Sequence, residues 1–194
     1  MKRILIKRPR ILPQKTKKVF HGVIFDIYQW KQKMYDGSLK TFEMLKRKDT
    51  VVIIPITINN KIVVLKQEQP NRKPFMSFPG GRVDDAQNID LEALRELREE
   101  SGYEPRTMKL WKSHQVSNKI DSIGYFFIAQ GCEKISEPAP DSDGEKITVH
   151  TFTFQEFLQL VFKKSFRRAF IIEDMLHAYY DKKHRDRLKK LFFT

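Results

Sequence analysis

The chain has 194 residues, 40% of them hydrophobic, which is enough for one globular core with short appendages. Its longest apolar runs, 51–58 and 62–65, fall far short of the roughly 20 residues a bilayer-crossing helix needs, so no membrane insertion is expected. The single cysteine, Cys132, excludes an internal disulfide and agrees with a reducing compartment, while the formal net charge of +13 makes the position of the charge the next question.

Residues 1–18 carry eight Lys or Arg and no acid. The apolar stretch Ile4–Ile6 among them is too short for a signal-peptide core, so the cytoplasm is the expected location. Val19–Trp30 is rich in β-branched and aromatic residues and is predicted as a strand. Asp36-Gly37 within Gln32–Thr41 marks a hairpin turn, and Thr41–Leu45 is its returning strand. Thr50–Ile58 and Lys61–Glu68 are two further apolar runs joined by Asn59-Asn60, a second hairpin signal. Pro70–Gly81 reads as loop with one short strand at Phe75–Phe78. Leu91–Ser101 is a predicted helix in which Leu91, Leu94 and Leu97 share a face, and Gly102 stands where a C-terminal cap belongs. Met108–Val116, Ser122–Ala129 and Ile147–Phe154 are predicted strands, the last two separated by a turn-rich loop at 137–144. Phe154–Phe162 and Ser165–Tyr180 are predicted helices, with the tail to Thr194 extending the last. Residues 163–194 hold ten Lys or Arg against four acids, which leaves 19–162 at net −1. A nearly neutral body between basic flanks follows, the flanks being either solvated or a contact for RNA, an anionic substrate or an acidic partner. Strands followed by helices without regular alternation point to an α+β fold, with helices packed on a mixed sheet.

On a helical wheel Glu92, Glu96, Glu99 and Glu100 fall on one side of the 91–101 helix, roughly opposite the leucines. Like charges three or four residues apart destabilise a helix, so the cluster needs a counter-charge. Arg95 and Arg98 supply one in a purely solvated face; a divalent cation, which prefers hard oxygen ligands, supplies another.

The residues around the helix separate these readings. From Gly81 the chain runs five residues to Gln87 and seven more to Arg95-Glu96-Leu97-Arg98-Glu99-Glu100-Ser101-Gly102-Tyr103. This resembles the Nudix box, whose pattern is Gly, five residues, Glu, seven residues, then Arg-Glu-apolar-any-Glu-Glu-any-Gly-apolar. The spacing holds over 23 residues, with Gln87 in place of glutamate and Tyr103 as a mild variation on an apolar residue. The resemblance implies a Nudix-type α/β/α sandwich with a mixed sheet. It implies that Glu96, Glu99 and Glu100 hold divalent cations, magnesium first and manganese as the alternative, with the Gly81 carbonyl often joining them. It implies that Arg95 orients one of these glutamates and that Glu99 and Arg95 belong to the catalytic set. A glutamate at 87 would brace that arginine; Gln87 keeps the hydrogen bond without the charge. Cleavage of a pyrophosphate bond is hindered because the nucleophile meets negative charge, which metal ions neutralise while positioning a water of lowered pKa. The general base must then reach the site from outside the helix.

The likeness extends over about residues 19–180 and is closest to the ADP-ribose and nucleoside-diphosphate-sugar pyrophosphatase branch. Asp36-Gly37, Phe42-Glu43, Arg47 and Thr50–Ile58 follow that branch's N-terminal pattern, and 141–149 resembles its acidic loop leading into a strand. By position Asp143 matches the acid proposed as base and Glu145 an extra metal ligand, with the two roles open to exchange. Tyr28 and Trp30, with Phe25, lie in the segment that helps form a dimer in related enzymes and can stack on the base, so Tyr28, Trp30 and Arg47 are the substrate-binding candidates. Gln69 stands where an arginine is common after the core strand, and Asn118 where many ADP-ribose enzymes carry proline, which leaves other nucleoside diphosphate derivatives open. The expected organisation is a basic tail and β-hairpin extension at 1–48 that serves a homodimer, a Nudix hydrolase domain at 49–180, and a basic tail at 181–194. Two other functions compete. The basic ends allow an RNA 5′ pyrophosphohydrolase or nucleotide sanitiser, which predicts strongly salt-dependent RNA binding. Gln87 allows a non-catalytic module that binds nucleotide sugars, against which Glu96, Glu99 and Glu100 are all present.

Overall fold

The computed structural model describes residues 7–85, 87–139, 145–167 and 169–194. Strands β1 (Lys17–His21), β2 (Asp26–Lys33) and β3 (Leu39–Lys46) form an antiparallel meander. The single strand expected at Val19–Trp30 is therefore two. Gly22 N–H donates to the Phe25 carbonyl at 3.0 Å and closes a turn whose tip exposes Val23 and Ile24. Two β-branched residues at a turn tip are what a propensity argument misreads. The Asp36-Gly37 turn forms as expected, with the Asp36 carboxylate accepting from the Ser38 N–H at 2.9 Å.

After it come β4 (Thr50–Thr57), β5 (Ile62–Glu68), β6 (Phe75–Ser77), α1 (Ile89–Ser101), β7 (Tyr103–Glu104), β8 (Thr107–Ser117), β9 (Ile120–Lys134), β10 (Lys146–Phe152), α2 (Phe154–Gln159), α3 (Ile172–Tyr180) and α4 (Lys182–Phe193). The strands run in the order β1-β2-β3-β9-β4-β5-β10, with β6 beside β5 and with β7 and β8 beside β9. β9 lies parallel to β3 and β4 and antiparallel to β8, so the sheet is mixed and the fold α+β.

Period-two alternation along β4 and β9 divides the core into two layers. Val51, Ile53, Tyr125 and Phe127 pack with Ile89, Ala93 and Leu97 of α1. Ile54, Ile56, Phe126 and Ile128 face the other way, against Phe157 of α2, Met175 of α3, and Leu188 and Phe192 of α4. The sheet is thus sandwiched between α1 and the C-terminal helices.

Three local expectations are corrected. Leu91 is 51% exposed, so the buried stripe of α1 is Ile89, Ala93 and Leu97 rather than the leucines alone, and Glu96 lies at its edge, buried, instead of on the opposite side. The helix expected from Ser165 begins only at Ile172. Residues 165–167 instead run beside β6, with Met76 N–H donating to Ser165 O and Arg167 N–H to Met76 O, both at 2.7 Å. The tail does not extend α3, because Asp181 breaks the helix with φ −114° and ψ 126° and caps α4 by accepting from the His184 N–H at 2.7 Å.

The N-terminal arm is tied to this body through Arg8, which donates to the buried carboxylates of Asp49 at 2.7 Å and Asp121 at 2.6 Å. Burial works against the Arg8 charge, but the bonds to both aspartates outweigh it and hold the guanidinium above its ordinary range. No helix among the described residues is long and apolar enough to cross a membrane.

Candidate active site

Helix α1 is anchored by its apolar stripe and closed by Gly102, which takes the left-handed conformation (φ 72°) and donates to Arg98 O at 2.9 Å. Fixing that stripe against the sheet brings Glu96 and Glu100 to the Gly80-Gly81 segment. The Gly80 N–H donates to Glu100 Oε2 at 2.9 Å, while the Gly81 carbonyl accepts from Val51 N–H at 2.9 Å. Gly81 must lack a side chain, because a Cβ there would lie 2.3 Å from Glu96 Oε1. The glycine thus makes room for a carboxylate.

Arg95 gathers the acids. Its guanidinium donates to Glu92 Oε2 at 3.1 Å, to Glu96 Oε1 at 2.5 Å and to Glu99 Oε2 at 2.6 Å. Burial raises the Glu96 carboxyl above the usual carboxylate range, and the Arg95 charge offsets only part of that rise. For Arg95, burial opposes the charge, but Glu96, Glu92 and Glu99 together hold it above its ordinary range.

Whether these residues suit a divalent cation follows from their chemistry. Among the described residues no three acidic, histidine or cysteine side chains already stand in metal-ligand geometry. The donors are nevertheless three carboxylates and a backbone carbonyl, all hard oxygens, and Glu96 is pressed into a side-chain-free notch where its charge is poorly solvated. A cation would relieve that cost, and the set fits one.

A cleft of about 390 Å³ opens beside Gly80, Gly81 and Glu100, and Arg47 and Glu145 also line it. Glu145, next to β10, accepts a hydrogen bond from Gln69 Nε2. Asp143 lies outside the described residues. Tyr28 and Trp30 are not brought to the cleft. Tyr28 sits between Lys18 and Lys46, their Nζ atoms 5.7 and 5.8 Å from its ring centre, and Trp30 packs on Phe42 with ring centres 6.0 Å apart. The structure adds residues that motif reading passed over: Thr50, Arg82, Gln67 and Arg167 line the same cleft. Arg82 had a signal, because it follows the motif glycine directly and forms a bridge with Thr50. Arg167 had none, since its segment reads as helix and reaches the cleft only through pairing with β6.

Residues 46–174 match the NUDIX domain, and the chain belongs to the Nudix family, as a pyrophosphohydrolase of that family. Among characterised relatives, the chain is similar to the methanol dehydrogenase activator of Bacillus methanolicus, with 29% identity over 152 residues, 77% of this chain and 82% of the relative. It is also similar to the ADP-ribose pyrophosphatase of Bacillus subtilis (strain 168), 26% identical over 155 residues, 77% of this chain and 84% of that one. The crystal structure of an ADP compounds hydrolase superposes with a TM-score of 0.71 over 95% of this chain and 96% of that chain; at 16% identity it supports the fold.

Proposed function

We propose that the chain hydrolyses, with magnesium or manganese, the diphosphate linkage of a nucleoside diphosphate joined to a second group, ADP-ribose and nucleotide sugars being the substrate class. The observation that carries this reading is a cleft lined by Gly81, Glu100 and the arginines Arg47, Arg82 and Arg167, with Glu96 packed against Gly81 and joined to Glu99 through Arg95. The likeness to an ADP-ribose pyrophosphatase supports the class.

In this reading Glu96, Glu99, Glu100 and the Gly81 carbonyl hold the cation, with Glu145 as an additional ligand. When bound, the cation neutralises phosphate charge and lowers the pKa of the attacking water. Arg95 fixes the rotamers of Glu96 and Glu99, so that little reorganisation remains for the reaction. Arg47 binds the diphosphate. The general base is Asp143 or Glu145, one taking the proton of the attacking water while the other serves the cation. Tyr28 and Trp30 contribute to substrate binding across a homodimer built on β1–β3, since within one chain they stand away from the cleft. The enzyme acts in the cytoplasm.

The test is a panel of ADP-ribose, nucleotide sugars and dinucleotides incubated with magnesium, with products identified by mass. Release of a nucleoside monophosphate and the phosphorylated partner is expected. Cleavage of 5′-triphosphorylated RNA with none of the panel turned over would overturn the substrate class.

A further inference from the structure

Arg167 is placed with more care than an exposed arginine needs. Its backbone is pinned: Arg167 N–H donates to Met76 O at 2.7 Å, and the preceding Phe166, 3% exposed, wedges edge-on against Phe78 with ring centres 5.8 Å apart. Its guanidinium carbon then lies 3.3 Å over the centre of the Phe75 ring. Stacking at that distance occupies the face of the guanidinium and leaves its edge N–H groups directed outward in the plane. The side chain lines the same cleft as Gly80, Gly81 and Glu100. Among the described residues it makes no ion pair within 4.0 Å.

The surroundings call for an anion. Arg47 and Arg82 line the cleft from the side of β3 and β4, and Arg167 stands on the side of β6, so cationic side chains face the space from two directions. Burial and the nearby charge of Arg72 both weaken the hold of Arg167 on its proton, and Glu145 counters them only in part. Two guanidiniums within electrostatic reach of each other, one of them flattened on an aromatic ring, are stabilised together by an oxyanion placed between them or beside them.

We propose that Arg167 is a substrate-anchoring residue whose guanidinium, held flat on Phe75, takes a phosphate oxyanion of the bound substrate in the cleft it lines together with Arg47 and Arg82. This rests on the pyrophosphohydrolase reading for its substrate. Arg167 acts in binding, remote from bond breaking, and the position is specific to arginine because a lysine ammonium can neither stack flat nor offer paired N–H groups.

The test uses Arg167→Met, which keeps an apolar stem over Phe75, and Arg167→Lys, which keeps the charge. Steady-state kinetics are read with whichever panel compound the wild type cleaves, and binding of ADP is read by calorimetry. A charge-assisted hydrogen bond lost from binding corresponds to about tenfold or more, so KM and the ADP dissociation constant are expected to rise by about that factor in Arg167→Met, with kcat within about threefold of wild type. Arg167→Lys is expected to recover only part of the loss. Unchanged KM and ADP affinity in a variant of unchanged Tm would overturn the proposal, as would a loss confined to kcat. A wild type that binds ADP and hydrolyses nothing sinks the pyrophosphohydrolase reading, while the ADP arm still decides the role of Arg167.

Discussion

The Arg95 guanidinium touches Glu92, Glu96 and Glu99 at once, and that one cation explains how these three glutamates can crowd together on a short helix. The spacing of those residues was legible in the sequence because a motif is a statement about one helix, where geometry follows from residue number alone. The notch at Gly81 that admits Glu96 was legible only as a motif glycine; its physical reason, a carboxylate where a Cβ would stand, needed the fold. Cys132 is buried, and burial pushes its thiol up to about 12 and keeps it protonated and inert at neutral pH. The proton acceptor is the open role at this scale, shared between Asp143 and Glu145. Replacing the base by its amide is expected to lower kcat by about a hundredfold with little change in KM, because a base contributes in the transition state. Replacing the metal-binding member should instead raise the magnesium concentration at half-maximal activity. If Asp143→Asn, Glu145→Gln and the double variant all keep wild-type kcat and metal dependence, the base lies elsewhere.

Helix α1 shows how an element was located correctly and oriented imperfectly. Its extent and its Gly102 cap were legible because capping and helix propensity act locally. Its buried face was not, because three leucines at helical spacing compete with Ile89 and Ala93 for the sheet, and tertiary packing left Leu91 in solvent. Leu97→Ala is expected to cost about 2–4 kcal/mol by opening a cavity in a fully buried site, whereas Leu91→Ala should fall within about 0.5 kcal/mol of wild type. Denaturant unfolding of the two variants measures this directly, and equal losses would contradict the orientation described. The same limit explains 165–167, where β6 recruits a segment that helix periodicity would have claimed. Arg167 was hidden from sequence reading for that reason: its partner strand is about ninety residues away in the chain.

At the level of the whole molecule, the two layers on either side of the mixed sheet were legible from the run of strands followed by helices, with the Nudix resemblance supplying their arrangement. Pairings such as β3 and β4 with β9 were not, because long-range parallel register leaves no local trace. The N-terminal meander exposes Val19, Phe20 and Leu39 at the far end of the sheet from β10. Those exposed residues and the place of β1 at the end of the strand order among the described residues support the proposed homodimer, for which light scattering at micromolar concentration should give about twice the 23.1 kDa chain mass. A strict monomer over that range would refute it. The central claim is that the carboxylates of α1 perform hydrolysis through a divalent cation at the Gly81 cleft. Its most direct test is the magnesium titration of turnover for wild type beside Glu99→Gln and Glu100→Gln, with a chelator control. The expected result is no turnover in chelator and a fall of about a hundredfold or more in each variant; full activity in chelator, or wild-type turnover in both variants, would contradict it.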